Sequence, residues 1–323
     1  MNRTRIPEDV LSAAHARASA RQARDWAEAD RLRDLIEAAG WKVVDRGTDF
    51  ALSPAHPPDL REDGRVRHGS SQSVPARFDD APVGLASVVA VATDAPGDLE
   101  RALAPLRDHA PDGTQIVIVG NDPAPDQVAA LEALEALDPG GPGVATEVVW
   151  TSARLGHAAA LNAGIRRAAA PVVVVLDTSI EPAGDVITPL VGALGDPAVA
   201  VAGPYGIVSD DLRRFREGSA GDVDAIEGYL LAFRRSDYAD RGPLDERFVF
   251  YRNLDIWWSL VLRDGGEEGD HRRAVMVDGL PLVRHEHRGY ASLPEAERER
   301  LSKRNFYRII DRFGSRRDLL TAR

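Results

Sequence analysis

The chain has 323 residues, 44% of them hydrophobic, and a formal net charge of −11. That length suits one large domain with a smaller one, and the acidic balance argues against a general nucleic-acid binder, because phosphate contacts rest on Lys and Arg. The chain has no cysteine, which excludes disulfides and thiolate metal sites. No stretch approaches the roughly 20 apolar residues that span a bilayer, and the N-terminus lacks the apolar core of a secretory signal. The expectation is a soluble, cytoplasmic protein with no transmembrane segment.

Pro7, followed by Glu8 and Asp9, marks a helix start. Ala-rich helical sequence continues to Ala39, with Gly40 as the residue just beyond its end. Trp26, Ala29, Leu32, Leu35, Ile36 and Ala39 recur at helical spacing and form one apolar stripe. Trp41–Asp45 and Asp49–Leu52 read as a hairpin about Gly47, so residues 1–52 make a small helical and hairpin domain. Residues 53–81, rich in Pro, Gly and Ser, read as a linker. From Pro82 to the end (82–323), short apolar runs alternate with helical stretches. Strands are expected at Ser87–Ala92, Gln115–Val119, Glu147–Trp150, Val172–Leu176, Ala198–Ala202 and Ala274–Val277. Helices are expected at Gly97–His109, Asp126–Leu137, His157–Ala169, Asp185–Leu194, Asp255–Arg263 and Glu295–Phe313. Such alternation predicts βαβ units and an α/β fold around a mostly parallel sheet.

The sharpest chemical signal is Pro171-Val-Val-Val-Val-Leu-Asp-Thr-Ser179. A continuous apolar, β-branched run is a strand buried on both faces. Ligands of open α/β sheets meet the carboxyl ends of strands, which is where Asp177 falls. Together with Leu155-Gly-His-Ala-Ala-Ala-Leu-Asn-Ala-Gly-Ile165 just before it, this stretch resembles family 2 glycosyltransferases. In those enzymes a G-x-x-x-A-x-N-x-G helix precedes a strand ending in D-x-D. The third position of that motif is Ser179 here. The resemblance runs over about residues 87–313 and implies a GT-A-type, Rossmann-like domain. It further implies an inverting transferase that moves a sugar from a nucleotide-diphosphate donor to a glycan, lipid or small-molecule acceptor.

The resemblance also implies roles for individual residues. Thr93 and Asp94 stand in the turn that lines the nucleoside pocket; Asp94, before Pro96, is equally a helix-cap candidate. Asn121 and Asp122 remain as partners for a base where Gly120 replaces the family's acidic residue. His157 and Asn162 belong to the N-x-G helix, whose N-terminus suits a phosphate. Asp177 is the donor-side carboxylate and, with His285 and His287 of Val283-Arg-His-Glu-His-Arg-Gly-Tyr290, the candidate set for Mn²⁺ or Mg²⁺. Glu181 reads rather as part of a turn. Ala225-Ile-Glu-Gly-Tyr-Leu-Leu-Ala-Phe-Arg-Arg235 resembles the strand beside the acceptor channel and contributes Glu227 and Gly228. Tyr251-Arg-Asn-Leu-Asp255 stands where the family has an acidic cluster, so Arg252 and Asn253 fall on the acceptor side. Asp255 remains as the base, or as a helix cap.

Ala23-Arg-Asp-Trp-Ala-Glu-Ala-Asp-Arg-Leu-Arg-Asp34 with Ala39-Gly-Trp-Lys-Val-Val-Asp45 resembles the small C-terminal domain of cysteinyl-tRNA synthetases. Nothing of the synthetase catalytic domain is present. Residues 1–77 carry 13 Lys and Arg against 12 Asp and Glu, a balance that disfavours nucleic acid as a partner. Two alternatives to an active transferase remain: a nucleotide-sugar-binding module without turnover, and an RNA-linked adaptor.

Overall fold

The computed structural model describes residues 6–47, 49–62, 64–137, 144–266, 271–288 and 293–321. It divides into two units, Met1–Pro58 and Asp59–Arg323.

In the first unit the expected single helix is two, Glu8–Gln22 and Trp26–Ala38. Arg24 takes a left-handed conformation (φ 62°), and the Asp25 carboxylate accepts the backbone N–H of Glu28, starting the second helix afresh. The interruption re-phases the stripe. Ala29, Leu32 and Ile36 are buried, but Trp26, the first residue of the new helix, is 56% exposed and Leu35 is also outside. The hairpin pairs Trp41–Arg46 with Asp49–Pro54. Arg17 crosses from the first helix to Asp45 of the hairpin at 2.7 Å, and Val10, Ala14, Leu32, Ile36 and Trp41 make the core.

In the second unit, ten strands hydrogen-bond side by side among the described residues. From one edge these are Gly221–Val223, Arg273–Met276, Val199–Gly203, Leu230–Arg234 and Val172–Leu176. They continue as Ala86–Ala92, Thr114–Gly120, Ala145–Thr151, Arg65–His68 and Leu60–Glu62. Five of the nine pairings are parallel and four antiparallel. The central four strands are all parallel, and Val172–Leu176 and Ala86–Ala92 at their middle are largely apolar, as strands covered on both faces require. A smaller sheet joins Phe215–Glu217, Gly206–Ser209 and Ala225–Ile226.

The stretch expected as a linker behaves differently beyond Pro58. Leu60–Glu62 and Arg65–His68 extend the large sheet, with Arg67 opposite Trp150. Ser71 and Val74 are buried, and Arg166 donates to the Val74 carbonyl at 2.7 Å. Polar composition misleads here because the main chain, rather than apolar side chains, supplies the attachment.

The helix His157–Ile165 lies on the central strands and is buried from Ala158 to Ile165. It ends four residues before the expected Ala169. A Cβ at Gly164 would stand 2.5 Å from Val89 Cγ1 and 2.9 Å from Val119 Cγ2. Glycine therefore sets how closely this helix approaches the sheet. Among the described residues no helix is long and apolar enough to cross a membrane.

Candidate active site

The central strands Ala86–Ala92 and Val172–Leu176 are neighbours, and the chain runs from them toward opposite edges of the sheet. That makes a topological switch point, with Asp177 at its rim. Beside it opens a cavity of about 840 Å³, lined by His157, Asp177, Glu227, Gly228, Asp255 and His287 among others.

Asp177 is held on three sides. Its Oδ1 accepts the backbone N–H (2.9 Å) and hydroxyl (2.5 Å) of Ser179. Its Oδ2 lies 3.1 Å from Nε2 of His287. Burial opposes ionisation, but His287 and Ser179 hold the carboxyl below its usual range. His287 also stacks on Tyr251, with ring centroids 4.2 Å apart. His157 faces the same cavity; burial lowers its pKa to about 4 against the attraction of Asp177.

The expected metal set is not assembled. His285 turns to Glu181, Nε2 to Oε2 2.7 Å, just after the strand Leu282–Arg284 ends. Only His287 of the pair reaches Asp177. Among the described residues no group of three or more His, Asp or Glu is placed to hold a metal ion.

The acceptor-side residues converge. The strand Ala225–Ile226 passes into Leu230–Arg234 through Glu227, Gly228 and Tyr229. The helix Leu254–Arg263 is locked against this passage by Ser259, which accepts the Ile226 N–H at 3.1 Å. Asp255, in the first turn, accepts Gly228 N–H on Oδ2 and Ile256 N–H on Oδ1, both at 2.9 Å. A Cβ at residue 228 would stand 3.3 Å from that of Asp255, so glycine permits the contact. Burial raises the Asp255 pKa against these hydrogen bonds. Burial and then the Asp255 charge raise that of Glu227, with Arg284 opposing. Asn253 lines the cavity in a left-handed conformation (φ 70°). Its amide donates to the Ser302 carbonyl at 3.0 Å, a role an acidic residue could not fill. Arg252 also lines the cavity.

Two expected ligand contacts, Asn162 and Asn121, spend their amides on the protein, and three further expected residues stand outside the cavity lining. Asn162 is 1% exposed. It donates to the Leu244 carbonyl and Glu246, and accepts from Tyr238 Oη and Leu244 N–H, which exhausts the amide. Asn121, also buried, braces Leu155 by donating to its carbonyl (3.0 Å) and accepting its N–H (2.7 Å). The helix N-terminus expected to face a phosphate spends the N–H groups of His157 and Ala158 on the carbonyls of Val249 and Phe248. Thr93, Asp94 and Asp122 stand at the carboxyl ends of adjacent parallel strands, outside the cavity lining. Asp94 receives the Thr93 hydroxyl at 2.9 Å, and the cap position of the following helix is Ala95.

Sequence reasoning missed Arg213, Arg216 and Lys303 in the cavity wall. Arg213 precedes the short strand Phe215–Glu217, Arg216 lies within it, and Lys303 lies on Glu295–Phe313. No local pattern separates them from solvated charge; the amphipathic period of the last helix was the one available hint.

An open α/β sheet with carboxylates at the strand ends over a broad cavity is the arrangement of a ligand-binding α/β domain, and comparison with known proteins identifies it as GT-A-type. The chain belongs to glycosyl transferase family 2, whose model matches residues 87–251, just over half of its length. Membership of that family makes it a glycosyltransferase. A mannosyltransferase from Pyrobaculum calidifontis, solved with GDP-mannose and Mn²⁺, superposes with a TM-score of 0.51 at 18% identity, over 76% of this chain and 71% of that one. GalNAc-T7, solved with UDP, GalNAc and Mn²⁺, superposes with a TM-score of 0.59 at 14% identity, over 73% of this chain and 50% of that one. At such identities the likeness shows the fold. A cysteine–tRNA ligase of Opitutus terrae is 46% identical over 50 residues, 16% of this chain. The chain spans only 11% of that relative's length.

Proposed function

We propose that the protein is an inverting glycosyltransferase. The donor diphosphate lies against the strand ends that carry Thr93, Asp94, Asp122 and Asp177. The acceptor enters the cavity in front of them. The observation that carries this reading is the cavity itself, which Asp177 shares with Asp255 and Glu227. Donor-side and acceptor-side carboxylates on one 840 Å³ space suit direct displacement at an anomeric carbon between them. Asp255, the base expected from the sequence, and Glu227 are joined through Gly228, and the acceptor's proton goes to this pair. The cytoplasmic setting belongs to the same proposal.

Both structural neighbours were solved with Mn²⁺. Here Asp177 and His287 bond to each other and Ser179 occupies the other carboxylate oxygen. These residues do not form a ready cation site, so the charge on the departing diphosphate is assigned no metal partner.

The test is a calorimetric screen of UDP-, GDP- and dTDP-sugars, followed by NMR of the product. A donor that is bound and transferred with inverted anomeric configuration supports the reading. A retained configuration overturns the mechanism, and binding without turnover points to a nucleotide-sugar-binding module instead.

A further inference from the structure

The wall of the cavity carries charges of both signs, and they differ in exposure. Asp177, Glu227 and Asp255 are partly buried, whereas Arg213, Arg216, Arg252 and Lys303 line the same space and are exposed. The cations come from two segments beside the acceptor-side carboxylates. Arg213 and Arg216 belong to the run into and through Phe215–Glu217, which is linked by Gly206–Ser209 to Ala225–Ile226 and so to Glu227. Arg252 and Lys303 are tied together by their neighbours, since the Asn253 amide donates to the Ser302 carbonyl. Arg252 also acts on Asp255: burial raises the pKa of that carboxyl, and the guanidinium charge works against the rise.

These cations are not spent on the protein's own acids. The chain carries 51 Asp and Glu against 40 Lys and Arg, and arginines elsewhere in this unit are paired closely. Arg273, for example, meets Asp196 at 2.6 Å and Asp222 at 2.9 Å. Among the described residues no ion pair holds Arg213 or Lys303, although Glu217 and Glu299 line the same cavity. Lys303 lies over the Tyr307 ring, 6.0 Å from its centroid. Arg216 reaches Asp210 at 3.3 Å with both side chains more than half exposed, a pairing that water and salt weaken.

A neutral acceptor gains nothing from such a wall, and an acceptor charged throughout is repelled by the three partly buried carboxylates. A molecule with a hydroxyl at one end and an anionic group at the other complements both.

We infer that the acceptor carries a phosphate or carboxylate group, held by Arg213, Arg216, Arg252 and Lys303 while its hydroxyl points to Asp255 and Glu227. The inference rests on the transferase reading proposed above and gives its acceptor a chemical class. Guanidinium groups present forked N–H donors that match the oxygens of either anion.

The experiment uses the full chain and three probes that differ only at one ring substituent: glucose, glucuronate and glucose 6-phosphate. Calorimetry measures their Kd in the presence of UDP or GDP, for wild type and for the double variant Arg213→Gln/Lys303→Gln. At least one anionic probe is expected to bind about 10-fold or more tighter than glucose, with the advantage shrinking at high salt. The double variant should lose that advantage and keep its thermal midpoint, because both side chains are exposed. Tight binding of glucuronate and glucose 6-phosphate alike assigns a general anion, and of one alone assigns the carboxylate or the phosphate. Glucose binding as well as both anions, or an anion preference that survives in the double variant, overturns the inference. Failure of the transferase reading shows separately: a wild-type chain that binds none of GDP-mannose, UDP-GalNAc and UDP-glucose overturns that reading and the inference with it, whereas donor binding without anion preference overturns the inference alone.

Discussion

Ser179 donates both its backbone N–H and its hydroxyl to a single oxygen of Asp177, at 2.9 and 2.5 Å. The residue at the second acidic position of the D-x-D motif thus stabilises the charge of the first by hydrogen bonding, and adds no second carboxylate. The other Asp177 oxygen faces His287. Donor affinity is therefore expected to change by less than about 100-fold, roughly 2.7 kcal/mol, between EDTA and Mn²⁺. Calorimetric titration of the nucleotide under both conditions measures it, and a larger change would reveal a full-strength metal site. Ser179→Asp should increase the response to Mn²⁺, since it supplies a second anionic oxygen.

Truncation tests the unit boundary. We propose that Asp59–Arg323 folds and binds donor without the first unit. A cut at residue 81 should instead yield aggregated or poorly folded protein. It removes the two strands beside Ala145–Thr151 and the carbonyls of Val74, Arg77 and Asp80 that Arg166 and Arg235 use. Circular dichroism and gel filtration of the two truncations decide the matter. Equal folding of both would show that residues 59–81 add nothing.

Asn162→Ala should destabilise the second unit without acting on a ligand. The change orphans the Tyr238 hydroxyl, the Leu244 N–H and the Leu244 carbonyl, at about 1–3 kcal/mol for each buried group left unpaired. Denaturant midpoints read the loss. A donor Kd that worsens while stability is unchanged would restore the ligand contact expected from the sequence.

Gly164→Ala should cost about 1–3 kcal/mol through overpacking, because the new methyl meets Val89 and Val119. Helix propensity works the other way, favouring alanine by about 1 kcal/mol. A more stable variant would therefore mean that the helix can move off the sheet. Thermal unfolding of wild type and variant supplies the measurement.

His157 should make stability fall as the pH drops from about 6.5 towards 4. Its folded pKa is depressed to about 4 below an unfolded value of about 6.5. Between those values the unfolded chain binds a proton that the folded chain refuses, so stability rises with pH there and is unaffected by this group above the window. His157→Gln should flatten the slope between pH 4 and 6.5 in urea titrations. An unchanged slope would assign the acid sensitivity to other groups.

The sequence by itself determined the parts of the protein that depend on local pattern. The apolar run Val172–Leu176 had to be a strand buried on both faces, and Asp177 had to stand at its carboxyl end, because periodicity and topology allow little else. Gly40 ended its helix for the lack of a Cβ. What a polar side chain does with its hydrogen bonds was decided only by tertiary structure. Asn121 and Asn162 read as ligand contacts but spend their amides on Leu155 and Leu244. His285 and His287 read as a pair but go to different carboxylates. Residues 59–68 read as linker, yet they pair through main-chain groups that every residue carries and composition does not register. Glu227 and Asp255 stand 28 positions apart, and only the passage of the chain through Gly228 beneath the helix Leu254–Arg263 puts both on one cavity. A buried polar group takes whichever partner lies within hydrogen-bonding reach, and that reach is set by the packing of distant segments, which local spacing does not encode.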